Sequence, residues 1–108
     1  SSVEAAGIVV LPVINNVDVP DIESTFYDNV LDCVKQQDKY NYIDSDSINN
    51  VIEKNTVKGK LPDEAALRSI AEATNADLVV AMNAGQIKTG IEHTIHKIDF
   101  GCIEMIFR

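Results

Sequence analysis

The sequence predicts a single α/β domain over residues 1–108, with three helices packed in two or three layers on a mostly parallel sheet of order 2-1-3-4 whose strand 4 is antiparallel. Two wholly apolar runs, Ile8–Ile14 and Leu78–Met82, are typical of strands that are covered on both faces. Stretches with helical periodicity separate these runs, which implies right-handed crossovers between parallel strands. The length of 108 residues is sufficient to bury one hydrophobic core.

The first apolar run begins at Gly7 and contains Pro12, whose nitrogen cannot donate to a sheet ladder. Pro12 therefore either ends the regular pairing or marks a bulge. Helix 1 is predicted over Asp21–Gln37, because apolar residues recur there at steps of three and four. A short strand 2 follows at Tyr40–Ile43, and its more polar composition fits an edge of the sheet. The apolar stripe of helix 1 consists of Ile22, Phe26, Val30, Cys33 and Val34.

Two more helices are predicted between strands 2 and 3. The side chains of Asp44–Ser47 offer caps for helix 2, which ends near Asn55. Pro62 fits the first position of helix 3, which continues through Thr74, and Asn75 fits a left-handed cap at its end. The loop between these helices, Thr56–Leu61, contains two lysines and is the only local reversal of the acidic charge.

The carboxyl-terminal third predicts a hairpin at one edge of the sheet. Strand 3 runs from Ala76 and continues past the core to Lys88, Thr89-Gly90 forms a turn, and Glu92–Phe107 returns as a long antiparallel strand 4. A bulge near Gly101 would repair a change of parity among its apolar residues. With its outer side unpaired, this strand is a template for another chain. The predicted interface residues are Ile98, Phe100, Cys102, Ile103, Met105 and Phe107.

The chain ends at Arg108 in strand-like sequence without turn residues. We interpret it as a domain cut from a longer protein, or as one that lends its final strand to a neighbour. The net charge of −8, from 17 acidic and 9 basic residues, repels phosphate backbones, so we expect no nucleic-acid partner. No apolar run approaches the roughly 20 residues of a transmembrane helix, so we expect no transmembrane segment in this chain.

Four acidic side chains follow the predicted strands 1 and 2, namely Asp18 and Asp21 after the first and Asp44 and Asp46 after the second. They fall at the carboxyl ends of parallel strands, where open α/β sheets bind ligands. Their oxygens could together hold calcium or magnesium. Each acid also suits a helix cap or the positive end of a helix dipole, and we favour that structural explanation over a metal site.

The sequence lacks the patterns of an active site, so we predict that the protein is not an enzyme and needs no cofactor. His93 and His96, three residues apart on a strand, point to opposite faces and cannot share a metal ion. No glycine-rich loop follows an apolar strand, and neither Ser45 nor Ser47 lies in a nucleophile elbow. For Cys33 and Cys102 we favour two buried free thiols, with a disulfide as the open alternative.

Three stretches carry a resemblance to a known family: IVVLPVINN near the start, Tyr42-Ile43-Asp44 before helix 2, and Asn75-Ala76-Asp77-Leu78-Val79-Val80 at strand 3. Between Ile8 and Val80 the chain resembles the α/β domain shared by the amino-terminal region of TolB, the curli-secretion lipoprotein CsgG and the penicillin-binding-protein activator LpoB. Asn75 stands where that family usually has glycine. The resemblance implies a bacterial envelope protein, periplasmic or envelope-anchored as a lipoprotein whose anchor or signal was removed, that acts by binding.

The leading hypothesis is therefore a non-enzymatic binding or assembly module of the bacterial cell envelope. It would self-associate, as a homodimer or larger homo-oligomer, through its carboxyl-terminal edge strand, or pair that strand with an envelope protein. The alternative is a small-molecule or divalent-cation binding domain that uses the acidic loops around Asp18 and Asp44.

Overall fold

The computed structural model describes residues 5–14, 21–83, 86–89, 96–99 and 104–107. In chain order the elements are β1 (Ala6–Val10), α1 (Ile22–Lys35), β2 (Tyr40–Tyr42), a 3₁₀ turn (Ser45–Ile48), α2 (Asn49–Asn55), α3 (Glu64–Thr74), β3 (Leu78–Asn83), β4 (Gln86–Thr89), β5 (His96–Asp99) and β6 (Glu104–Phe107). Within these ranges, every helix falls short of the length and apolar character that a membrane crossing requires.

A parallel sheet of three strands in the order β2-β1-β3 forms the centre of the molecule. Ile8 is the residue that joins them, because it pairs with Tyr42 of β2 on one side and with Leu78 of β3 on the other. Val9 and Val10 continue the pairing with Val79 and Val80. This arrangement confirms the prediction of a mixed α/β fold with three helices and a mostly parallel sheet.

Helices cover both faces of the sheet, so the domain has three layers. Alternate residues of a strand point to opposite faces, and the two apolar runs divide accordingly. On the face of α1 the buried residues are Ile8, Val10, Val13, Val30, Cys33, Val34, Val80 and Met82. On the face of α2 and α3 they are Val9, Leu11, Ile52, Leu67, Ile70, Val79 and Ala81. Burial on both faces explains why neither run contains a polar side chain.

The helix ends follow the capping residues closely, with one correction. Asp63 caps α3, and its carboxylate accepts a hydrogen bond from the Ala66 amide at 2.8 Å. The prediction that Pro62 is the first residue of helix 3 is therefore wrong by two residues, because Asp63 takes the cap position and α3 begins at Glu64. Pro62 is buried and lies just before the cap. Asn75 ends α3 with φ of 56°, which confirms the predicted left-handed cap.

Strand 3 ends earlier than predicted. We expected it to continue to Lys88, but β3 ends at Asn83, which pairs with Gln86 at the start of β4. The chain therefore reverses between these two residues, and β4 runs antiparallel to β3. The predicted turn at Thr89-Gly90 extends into residues outside the described ones.

The structure does not show one long strand over Glu92–Phe107. The described parts of this segment are β5 and β6, which pair antiparallel with each other in a separate two-stranded sheet. Asp99 pairs with Glu104, so the chain reverses between them. The predicted bulge near Gly101 lies outside the described residues.

Candidate functional site

The sheet has a point where the chain connections leave in opposite directions, and it lies between β1 and β3. The connection from β1 through α1 leads to β2 on one side, whereas the connection through α2 and α3 leads to β3 on the other. The helices of these connections cover opposite faces. In open α/β sheets, ligands bind outside the carboxyl ends of the strands at such a topological switch point.

Pro12 shapes this end of the sheet through a bulge. The Leu11 amide donates to the Val80 carbonyl and the Ile14 amide donates to the Met82 carbonyl, both at 2.9 Å. Between these two hydrogen bonds the segment after β1 advances three residues, from Leu11 to Ile14, whereas β3 advances only two, from Val80 to Met82. The segment after β1 therefore contains one extra residue, which is a bulge. Both predicted alternatives for Pro12 hold: the regular strand β1 ends at Val10, and pairing with β3 resumes at Ile14 after a bulge. The bulge lets Pro12, an exposed residue without an amide hydrogen, lie between two paired residues.

A cleft of about 400 Å³ opens at this switch point. Its inner surface is apolar, since Leu11, Val13, Ile52, Ala81 and Met82 are all buried residues of the two cores. The loop 56–62 forms the opposite wall, and Glu23 contributes from α1. We call this space the switch-point cleft, and define it by residues 11–14, Glu23, Ile52, residues 56–62, Ala81 and Met82.

A tight turn places two lysines at the rim of the cleft. The Lys60 amide donates to the Val57 carbonyl at 3.1 Å, and Gly59 has φ of 77°, a conformation that glycine adopts without steric cost. Lys58 and Lys60 are exposed on this turn. The cleft thus combines an apolar interior with a locally basic rim, although the whole chain is acidic.

The four acidic candidates do not form a metal centre within the described residues, which contain no group of three or more His, Cys, Asp or Glu suited to a metal ion. The Asp44 carboxylate caps the 3₁₀ turn and accepts from the Asp46 amide at 3.1 Å, as the structural explanation predicted. Asp21 precedes α1 with φ of 60°, and its side chain makes no capping hydrogen bond. Asp18 lies outside the described residues.

Three hydroxyl groups cluster beside Asp44 and Asp46, a feature that sequence reasoning missed. The Tyr27 hydroxyl lies 3.3 Å from the Ser45 Oγ and 3.5 Å from the Tyr42 hydroxyl. The Lys35 Nζ lies 5.0 Å from the centre of the Tyr42 ring, within the range of a cation–π contact. No periodicity in the sequence signals this cluster, because α1, β2 and the 3₁₀ turn each contribute one hydroxyl.

Burial raises the pKa of Tyr27 to about 12, and the hydrogen bond from Ser45 lowers it only in part. At neutral pH Tyr27 is therefore a protonated phenol that can donate a hydrogen bond but cannot act as a base. Together with the distances above, this indicates a polar link that holds α1 against the 3₁₀ turn.

Cys33 is buried in the α1 face of the core and is disulfide-bonded. The interpretation of this residue as a free thiol is therefore wrong. Sequence spacing could not decide the question, because a disulfide depends on whether two distant Cβ atoms meet at about 4 Å. The only other cysteine in the chain, Cys102, lies outside the described residues.

The predicted interface residues fall on the least described part of the chain. Ile98 belongs to β5, and Met105 and Phe107 belong to β6, where the structure describes the backbone pairing. Phe100, Cys102 and Ile103 lie outside the described residues, as does His93.

Comparison of the chain with family models, with curated proteins and with solved structures gives no significant match in any of the three. The resemblance to the TolB, CsgG and LpoB domain thus stays a hypothesis that depends on the quoted residues.

Proposed function

We propose that this chain is a non-enzymatic binding or assembly module of the bacterial cell envelope that self-associates through its carboxyl-terminal strands. The observation that supports the proposal is the separate sheet of β5 and β6, which among the described strands pair only with each other. A two-stranded sheet is marginally stable in water and gains from a further strand. β6 lies close to β4, but no ladder joins the two among the described strands. The outer edges of the hairpin therefore carry main-chain donors and acceptors that a second chain can pair with.

The antiparallel strand 4 of the sequence prediction remains part of this proposal. The segment 92–107 supplies the pairing edge, and the predicted interface residues lie within it. Twofold symmetry lets identical edges pair antiparallel, so a homodimer is the expected product.

An envelope location is supported by the disulfide at Cys33. Disulfides persist in oxidising compartments such as the bacterial periplasm and are rare in the cytosol. The resemblance to envelope lipoproteins points to the same compartment.

The molar mass in solution tests self-association. We expect the wild type to show twice the monomer mass at micromolar concentration, measured by light scattering after gel filtration. Met105→Lys in β6 should shift it toward the monomer, because a charged side chain on an edge strand opposes further pairing. Val57→Lys makes a matched change at an exposed apolar position outside the hairpin and should leave the dimer intact. A wild-type monomer at high micromolar concentration, or a dimer that Met105→Lys leaves unchanged, would contradict the proposal.

The second candidate is a small-molecule or divalent-cation binding domain. The switch-point cleft favours its small-molecule form, because the volume and apolar lining fall in the range of ligand pockets. Its cation form still depends on the acidic loops around Asp18 and Asp44, and calorimetric titration with calcium and magnesium tests it. If neither ion produces a heat of binding or a change in Tm, the hypothesis of a divalent-cation site is wrong.

A further inference from the structure

The inner surface of the switch-point cleft determines what part of a ligand it can hold. Leu11, Ala81 and Met82 form the floor of a space of about 400 Å³ but are buried almost completely. The apolar lining that a ligand can cover is that of Pro12, Val57 and Leu61, which are exposed or half-buried. Filling this space with an apolar group removes apolar surface from water on both sides of the contact, which is favourable in proportion to the area. The interior therefore suits a hydrocarbon or aromatic body.

The rim determines the charge of the remaining part. Among the residues that the structure describes, the charged side chains that line the cleft are Lys58, Lys60 and Glu23, whereas the whole chain has 17 acidic against 9 basic residues. Both lysines lie on the same turn, held by the hydrogen bond between Lys60 and Val57. Their ammonium groups favour an anionic head over a cationic or neutral one.

We propose that the switch-point cleft binds a small amphipathic anion, with the apolar body against Pro12 and Leu61 and a carboxylate head near Lys58 and Lys60. This inference rests on the second candidate of the proposed function, because it names the ligand class of a small-molecule site. It does not depend on self-association through β5 and β6.

Val57 adds to this assignment. Its side chain is 67% exposed, and it is the one large hydrophobic side chain among the described residues that is exposed rather than buried or half-buried. It lines the cleft and lies on the same turn as the lysines. An apolar side chain at that position extends the apolar surface outward, so that it can cover the part of a ligand between the buried body and the charged head.

The test uses three probes that share an eight-carbon chain and differ in the head group: octanoate, octanol and octyltrimethylammonium, each below the concentration at which it forms micelles. Two-dimensional NMR of the labelled full chain reports the affected amides and the affinity. We expect octanoate to bind at least about tenfold more tightly than the other two, from two exposed charge interactions. It should shift the amides of Leu11, Val13 and Ile14 and of residues 56–61 and 81–82. Added salt should weaken only octanoate.

Two variants separate the charge from the cleft. Lys58→Gln/Lys60→Gln removes the rim charge without touching the core, and it should lower octanoate affinity about tenfold to the level of octanol. Lys54→Gln makes the same chemical change on an exposed face of α2 outside the cleft lining and should leave the affinity unchanged.

The outcomes distinguish the ligand class from the site. If all three probes shift the cleft amides with equal affinity, the anionic class is wrong while a small-molecule site stands. If none of them shifts those amides, both the class and the small-molecule candidate fail. Octanoate affinity that Lys58→Gln/Lys60→Gln leaves unchanged would also overturn the proposal.

Discussion

Asp77 and Gly7 bind each other through two hydrogen bonds of opposite direction. The Asp77 amide donates to the Gly7 carbonyl at 2.8 Å, and the Gly7 amide donates to the Asp77 carboxylate Oδ2 at 2.7 Å. The contact lies one residue before the pair Ile8 and Leu78, at the beginning of the parallel register. A Cβ on residue 7 would lie 3.4 Å from the Ile43 Cδ1, so a small residue suits this position. The pair aligns the start of β3 with the start of β1.

We expect Asp77→Ala to lower the free energy of unfolding by about 1 kcal/mol, because the Gly7 amide loses a charged acceptor while the main-chain bond remains. Asp77→Asn keeps an acceptor oxygen and should cost less. Asp38→Ala removes an exposed carboxylate from the turn before β2 and serves as the control. Urea unfolding measures all three. An effect of Asp77→Ala no larger than that of Asp38→Ala would show that this contact does not stabilise the register.

Asn75 tests the left-handed end of α3. Its φ of 56° is costly for a residue with a Cβ unless the side chain is Asn or Asp, so Asn75→Ala should destabilise the domain by about 1 kcal/mol. Asn75→Gly should be neutral or slightly stabilising. Asn50→Ala, in the exposed part of α2, makes the same chemical change at a right-handed helical position and should cost nothing. Equal stability of the Ala and Gly variants at position 75 would contradict this assignment.

The Tyr27 hydroxyl predicts a loss of stability at high pH. Its pKa is about 12 in the folded protein and about 10 in the unfolded chain. The unfolded state therefore releases this proton first, and the stabilising contribution is complete below pH 10 and declines as the pH rises from 10 to 12. Tyr27→Phe should flatten this decline, which denaturant midpoints across that pH range would measure. Tyr40→Phe, which removes a phenol outside the cluster, should leave the decline in place.

We expect the disulfide partner of Cys33 to be Cys102, the only other cysteine in the sequence. The bond would close a loop of roughly 70 residues and contribute about 4 kcal/mol by restricting the unfolded chain. Reduction, Cys33→Ala and Cys102→Ala should each lower the denaturant midpoint, and the double variant should be little worse than either single one. Mass spectrometry identifies the bond: the mass of a single protomer should increase by two alkyl groups when the protein is reduced before alkylation, and should not increase when it is alkylated without reduction. Additive effects of the two substitutions would contradict the pairing.

The central sheet could be predicted because its residues carry the signal locally. A strand covered on both faces must be apolar at every position, so Ile8–Ile14 and Leu78–Met82 could be identified without knowledge of their neighbours. Helical periodicity and the capping residues Asp44 and Asn75 act within a few residues as well. These features predicted the three helices and the parallel pairing of the strands.

The candidate site could be predicted only as a general location. The sequence predicts a site at the carboxyl ends of the strands, formed by the acids that follow β1 and β2, whereas the structure has its cleft between β1 and β3. The apolar residues that line this cleft have the same sequence pattern as any core residue, and only the docking of the loop 56–62 leaves a space between them. The cluster of Tyr27, Tyr42 and Ser45 could not be predicted either, because its hydroxyl groups come from three separate elements that meet only in the folded chain.

Local sequence was sufficient to identify the two interior strands, the three helices, the apolar residues of the core and the left-handed end of α3, since these follow from side-chain chemistry and local backbone preference. Tertiary structure was needed to show that a bulge lies at Pro12, that β4 returns beside β3, that residues 96–99 and 104–107 form two paired strands, and that Cys33 is bonded. Each of these depends on which distant residues meet, and that outcome is set by the packing of the whole chain.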